Sequence, residues 1–235
     1  MSLSFNWLAD PLYFSWLCKG IVTTVELSLA GIVLMLVIGT VGAYCLHYRV
    51  KFLDRLIMIL VDLFRNTPPL VQLFIFYFSL PELENAFHHH GAHQGPPFFN
   101  GFTCVVISLA LYNGSLAVEI IRSGLEAVPK STVEAARSLG YTRIQIFRQI
   151  ELPIGFRLSF SSMINNVVSL IKTSSQASLV AVGDIMFYAN QISLETFMNL
   201  EVMIAVLVLY LVIVSIAVFC ARRIENHMKM YGYGR

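Results

Sequence analysis

The chain has 235 residues, 57% of them hydrophobic and only 13% charged, with a mean hydropathy of +0.70. A soluble globular domain carries roughly 25% charged residues, so this composition excludes water as the main solvent and points to lipid. The formal net charge of +2 reflects basic residues retained on one side of a membrane, not a nucleic-acid surface.

Residues 1–19, with Trp7, Tyr13 and Trp16, read as an interfacial segment at the outer headgroup level, where amphipathic rings are favoured. No charged stretch, short apolar segment and small-residue cleavage site come before the first long apolar run, so no cleaved signal peptide is expected. Runs of about 20 apolar residues can cross a bilayer. Five are predicted, near 20–46, 56–80, 102–121, 158–182 and 201–221. The expected fold is an all-α membrane protein, one transmembrane domain over 1–235, with no linker or inverted repeat. So few spans enclose a pathway poorly, which predicts an oligomer.

Basic residues set the orientation, because Lys and Arg are retained on the cytoplasmic side. Arg49, Lys51 and Arg55 fall between the first two spans, six more basic residues between the third and fourth, and Arg222, Arg223, Lys229 and Arg235 after the last. The stretches 81–101 and 183–200 contain none. The N-terminus is therefore expected outside, the C-terminus in the cytoplasm, and the loop 128–153 on the cytoplasmic face.

The second span carries a break at Arg65-Asn66-Thr67-Pro68-Pro69, followed by Gln72. Consecutive prolines remove donors and free carbonyls, which makes either a packing kink or a broken helix of the kind that binds ions and zwitterions. The outer stretch 81–101 is Gly- and Pro-rich, and its histidines 88–90 and 93 read as a solvated loop rather than a metal site, because no fixed ligand spacing accompanies them. The four cysteines also lack metal spacing and read as small apolar residues, a Cys18–Cys104 disulfide being the exception to test.

Ionisable residues inside the spans are costly, and they either neutralise one another or face a polar path. At about 1.5 Å per residue, Asp62, Arg65 and Glu119 lie in the inner half of the bilayer, and Glu26 and Lys172 in the outer half. Asp62 and Arg65, three apart, can pair, and Glu119 can complete that cluster. Glu26 with Lys172 is a second candidate pair.

The loop 128–153 is polar, unlike its flanks. Pro129 precedes Ser131-Thr132-Val133-Glu134, a capping-box pattern, Gly140 suits a helix C-terminus, Thr142-Arg143-Ile144-Gln145 is a second capping box, and Pro153 is placed to stop the helix. Two short helices at a glycine elbow are predicted, suited either to lipid headgroups or to a protein partner in water.

Within this loop, EAARSLGYTRIQIFRQIELP (134–153) resembles the signature of the membrane subunits of bacterial ATP-binding-cassette importers. The fixed positions are Glu134, Ala135, Ala136, Gly140, Ile150, Leu152 and Pro153. FRNTPPLVQ (64–72), EIIRSGLEAVP (119–129) and KTSSQASL (172–179) are similar to the polar amino-acid branch of these permeases, the histidine, glutamine, glutamate and arginine type. The resemblance implies coupling helices that sit in a cleft of an ATPase subunit. Glu134, Ala135, Ala136, Arg137, Ser138 and Gly140 would contact that subunit, and Ile150, Leu152 and Pro153 would anchor the element. It also implies a substrate path past Asp62, Arg65, Asn66, Thr67, Gln72, Glu119, Lys172, Thr173 and Ser174. Implied partners are two ATP-binding subunits, a second permease chain of the same or a similar kind and an extracytoplasmic amino-acid-binding protein, in the bacterial inner membrane. The chain lacks GxxxxGK[ST], so ATP and Mg are expected in the partner, with no cofactor or catalytic role here. An ion-coupled secondary carrier is the rival reading, and it would need no ATPase.

Overall fold

A computed structural model describes residues 5–88 and 98–228. Among these residues the chain is helical, with no strand. A 3₁₀ turn at Asn6–Ala9 leads into α1 (Pro11–His47), followed by α2 (Leu53–Asn66), α3 (Pro69–His88), α4 (Gly101–Glu126), α5 (Lys130–Ser138), α6 (Arg143–Ile146), α7 (Leu152–Thr173), α8 (Ile185–Thr196) and α9 (Asn199–Met228).

Local chemistry sets most of the starts. Asp10 Oδ1 accepts from the Leu12 N–H at 2.8 Å, and Pro11 takes the first position of α1, where no donor is needed. At α4, Asn100 Oδ1 accepts from the Thr103 N–H at 3.0 Å, while Thr103 Oγ1 accepts from the Asn100 N–H at 2.9 Å. This reciprocal pair satisfies two donors that the helix leaves open. The Glu84 carboxylate ties α3 to the approach of α4 by accepting from Phe98 and Phe99 N–H at 2.7 and 2.9 Å.

Among the described residues four helical stretches are long and apolar enough to cross a membrane, or up to five segments if α2 and α3 together count as one broken span. The differences from sequence expectation lie at the ends. The first helix begins at Pro11 rather than near 20, because Asp10 caps it there, and Trp7, just before it, is buried within the protein. The predicted second span is two helices, sharply bent at Thr67–Pro68, since Pro68 and Pro69 cannot donate into a continuing helix. The predicted fourth span ends as an α-helix at Thr173 and tightens into a 3₁₀ stretch, Ser174–Val180. The basic-free stretch 183–200, outside the five predicted spans, holds a short helix, α8. Cys18 and Cys104 are free thiols, as are Cys45 and Cys220. The histidine cluster falls outside the described residues but for the backbone of His88.

The chain forms two compact units. One comprises Met1–Val33, Thr67–Ala110 and Ser169–Ile216. Its core joins Trp7 and Leu17 to Ile185, Ala189 and Ile192 of α8 and to Val202 and Val206 of α9. Trp16 adds a ring contact to Tyr188, with centroids 6.1 Å apart. The Ile185 N–H donates to Thr24 Oγ1 at 3.3 Å, which fixes the start of α8 against α1.

The other unit comprises Leu34–Asn66, Leu111–Val168 and Ala217–Arg235. Its helices touch through small residues. A Cβ on Gly39 would lie 2.7 Å from that of Ala117, and one on Gly155 only 2.9 Å from the backbone of Gly124 and Leu125. Lipid supplies no hydrophobic drive between helices, so close backbone packing and interhelical hydrogen bonds carry the association. Asn166 Nδ2 provides such a bond, donating to the Asn113 carbonyl at 2.9 Å. Gly155→Val is therefore expected to force α4 and α7 apart at a cost of about 1–3 kcal/mol. A lower melting temperature of the detergent-purified protein would show it, and an unchanged one would contradict the contact.

Candidate functional site

The signature segment is built by three local devices. Pro129, with φ −58 and ψ 128, leads directly into α5 at Lys130, and no side chain caps that start. The predicted Ser131–Glu134 capping box does not form, because the helix begins at Lys130, two residues before the start that box would set, and Ser131 lies inside it. At the other end α5 closes in a Schellman motif. The Gly140 N–H donates to the Arg137 carbonyl at 2.9 Å and the Tyr141 N–H to the Ala136 carbonyl at 3.2 Å, with Gly140 at φ +83. Gly140 is thus the elbow, in a conformation that costs glycine nothing.

The second capping box does form. Thr142 Oγ1 accepts from the Gln145 N–H at 3.4 Å, and Gln145 Oε1 accepts from the Thr142 N–H at 2.8 Å. The helix that follows does not stop at Pro153. After the four residues of α6 the chain widens into a π-turn, Phe147–Glu151, and continues as α7. The Leu152 N–H reaches back to the Phe147 carbonyl, a five-residue step. Proline has no N–H to give to an α-helical bond, and the wider turn passes it in the first turn of α7 instead of ending the helix. Ile150, Leu152 and Pro153 therefore sit at a helical junction with the membrane helix, not in a loop ahead of it.

Around the elbow, Glu134, Ala135, Arg137, Ser138 and Gly140 are exposed, while Ala136 is buried. Leu139 is 78% and Ile144 65% exposed, so apolar side chains flank the elbow. On the inner side Phe147 is buried against Tyr44, ring centroids 4.7 Å apart.

Glu151 joins this element to the end of α1. Its carboxylate is buried, with Oε1 3.4 Å from His47 Nε2, and Oε2 accepts a very short hydrogen bond from the Tyr48 hydroxyl. Burial, and then the Glu151 carboxylate, push the Tyr48 hydroxyl well above its ordinary pKa, so it stays protonated and donates. His47, Glu151, Lys130, Glu134 and Arg137 line a cavity of about 400 Å³ behind α5. Sequence reasoning missed Glu151 because it occupies the variable position between Ile150 and Leu152. The signal it overlooked was a lone carboxylate at a helix–membrane junction.

The intramembrane charges do not pair as expected. Among the described residues no ion pair joins Asp62 to Arg65 or Glu26 to Lys172, and all four side chains are exposed on this single chain. Glu119 binds Arg122 at 3.0 Å, one turn along its own helix, and Arg122 also reaches Glu126 at 3.6 Å. An i,i+3 neighbour on the same helix needs no second element to bring it near. Asn66 is exposed, whereas Gln72 is buried and donates to Thr67 Oγ1 at 2.6 Å and to the Thr67 carbonyl at 3.1 Å. That bond braces the break and brings Thr67 and Gln72 together. Thr173 and Ser174 donate to carbonyls one turn back, Ser169 and Ile171, both at 2.8 Å. Lys172 is exposed.

A buried acid that the sequence did not flag is Asp184. Its Oδ1 accepts from the Phe187 N–H at 2.8 Å and caps α8. Burial raises its carboxyl to about 6, against the lowering effect of backbone N–H groups of Phe187 and Met186. Its position immediately before an apolar run was a legible N-cap signal.

Comparison with known proteins adds to this geometry. A family model described as "Binding-protein-dependent transport system inner membrane component" matches residues 35–230. The chain is 31% identical over 213 residues to "Probable amino-acid ABC transporter permease protein PatM" of Vibrio harveyi, covering 89% of each. It is 27% identical to "Arginine transport system permease protein ArtQ" of Bacillus subtilis (strain 168), over 97% of this chain and 99% of that protein. Its fold resembles a solved "amino acid ABC transporter with histidines", with a TM-score of 0.78, 23% identity, and coverage of 97% of this chain and 100% of that one.

Replacing Glu151 by Ala leaves Tyr48 and His47 without their buried acceptor and is expected to cost about 1–3 kcal/mol, more than Tyr48→Phe. Melting of the detergent-purified variants checks the order, and equal, negligible losses would contradict the clasp.

Proposed function

This chain belongs to the family of binding-protein-dependent transport system inner membrane components, and from that premise we propose that it is the permease subunit of an ATP-driven importer of polar amino acids. The observation that carries the proposal is the signature segment, a helix closed at Gly140 with exposed Leu139 and Ile144 beside the elbow. Apolar side chains left in water at a rigid corner suit a cleft in a partner protein. The amino-acid class rests on relatives whose names carry amino-acid and arginine transport. Family membership favours this reading over an ion-coupled secondary carrier.

The chain acts as one five-span transmembrane domain, α2 and α3 together forming the second span. Its N-terminus lies outside, its C-terminus in the cytoplasm and α5–α6 on the cytoplasmic face, as the distribution of Lys and Arg supports. One of two ATP-binding subunits grips the elbow of this chain through Glu134 to Gly140, and ATP with Mg stays in those subunits, so this chain is moved by hydrolysis without performing it. Ile150, Leu152 and Pro153 pass that motion into α7, to which they are helically joined. A second permease chain completes the pathway, and an extracytoplasmic binding protein delivers substrate in the bacterial inner membrane.

An α-amino acid carries both charges. Arg65 and Lys172 would compensate its carboxylate, Asp62 and Glu119 its amino group, and Asn66, Thr67, Gln72, Thr173 and Ser174 would supply hydrogen bonds near the helix breaks. Exposure of Asp62, Arg65 and Lys172 on the single chain fits side chains that face a pathway closed by a second subunit.

Gly140→Pro is expected to abolish ATP-dependent uptake into proteoliposomes containing the ATPase subunits and the cognate binding protein, with membrane insertion unchanged. Uptake that persists without any ATPase subunit would sink the importer reading. In the same assay Lys172→Ala and Arg65→Ala should raise the half-saturating amino-acid concentration, and unaltered uptake in both would remove them from the path.

A further inference from the structure

The corner between α1 and α2 carries features that the importer reading does not use. Arg49 and Phe52 have φ of 48 and 66, a left-handed conformation uncommon for residues with a side chain. The turn opens a cavity of about 550 Å³, lined by Arg49, Lys51, Arg55 and Asp54 at its rim and by Leu56 and Ile59 along α2. The three basic side chains are exposed, and none is in an ion pair among the described residues. Asp54 Oδ1 accepts from the Arg55 N–H at 2.8 Å, so the one carboxylate is engaged with backbone.

An apolar track begins at that rim. Leu56, Ile59 and Leu63, at three- and four-residue spacing on one face of α2, are 53%, 59% and 52% exposed. The adjoining face of α2 closes a separate apolar groove of about 300 Å³ against α1 and α4, with Val37, Val41 and Val118 on its walls. Phe52, 91% exposed, adds a ring to the lining of the basic cavity.

The geometry points to a binding site for one anionic glycerophospholipid, its phosphate held by Arg49, Lys51 and Arg55 and its acyl chains running along α2. Three cations against one carboxylate select an anionic headgroup over a zwitterionic one. The apolar track lies on α2, half of a helix pair apolar enough to cross a membrane as one broken span, where lipid reaches and a soluble partner does not. A phosphate contacted by several basic donors gains charge-assisted bonds that a bulk headgroup lacks. The site requires only that the chain crosses a membrane, whatever it carries.

Native mass spectrometry of the full-length chain, purified in an equal mixture of phosphatidylglycerol and phosphatidylethanolamine with matched acyl chains, tests this. At about 1 kcal/mol per basic residue near a lipid surface, or about fivefold each, the wild type should retain phosphatidylglycerol at least fivefold over phosphatidylethanolamine. The R49Q/K51Q/R55Q variant should lose that preference, while R222Q/R223Q, at the basic end of α9, should keep it. No preference in the wild type, or equal loss in both variants, would overturn the site in favour of generic attraction to headgroups. Displacement by water-soluble glycerol 3-phosphate would mark a free-phosphate site and overturn the lipid reading. Where the triple variant does not elute as one folded species, the wild type measured at rising salt decides: the preference should fall as the phosphate contacts are screened, and a salt-independent preference would overturn it.

Discussion

Two backbones in direct contact, at Gly124 on α4 and Gly155 on α7, set the position of everything at this end of the chain. Between helices in lipid there is no apolar surface to hide from water, so an approach this close must come from side-chain absence. Gly155 lies four residues beyond Glu151 and two beyond Pro153. The contact therefore fixes where α7 starts, and with it the π-turn, the buried carboxylate and the angle at which α6 leaves. A bulkier residue at either glycine would displace the signature segment without altering one of its own residues.

Against this fixed junction, Glu151 adds a polar connection. A buried carboxylate is tolerated only when its oxygens are occupied, and here both are, by His47 and Tyr48 from the end of α1. Two chain segments about a hundred residues apart thus share one ionic group just beside the proposed partner surface. Its worth is geometric: breaking it leaves an unpaired charge in the protein, so α1 and the start of α7 are held to one arrangement.

The sequence made the signature segment legible because its devices are local. Gly140, Thr142 and Gln145 act within a few residues of themselves, and both the glycine C-terminus and the second capping box form as read. The family resemblance, carried by the same stretch, agrees with the match over 35–230. Failures came where a different contact won over the one expected. Ser131 loses its capping role because Pro129 starts the helix early, and Glu119 prefers Arg122 on its own helix to a partner across the membrane. The lack of basic residues in 183–200 bears only on sidedness, and the helix that Asp184 caps there, its apolar face packed on Trp7 and Leu17, has to be read from other signals. Hydropathy counts report where lipid is, and they are silent on short helices folded against a neighbour.

The π-turn at Phe147–Glu151 has one more consequence. One residue in an α-helix corresponds to a rotation of about 100° about its axis. A turn that takes in an extra residue thereby resets the rotational phase of everything after it, and α7 leaves the turn with Gly155, Ser159 and Asn166 all buried. In an uninterrupted helix from Arg143, the same sequence would swing that small and polar stripe away from α4 and bring exposed positions such as Arg157 and Leu158 toward it. The extra residue acts as an angular key: it lets the water-facing part of the signature and the membrane-facing part of the same helix each keep its own orientation.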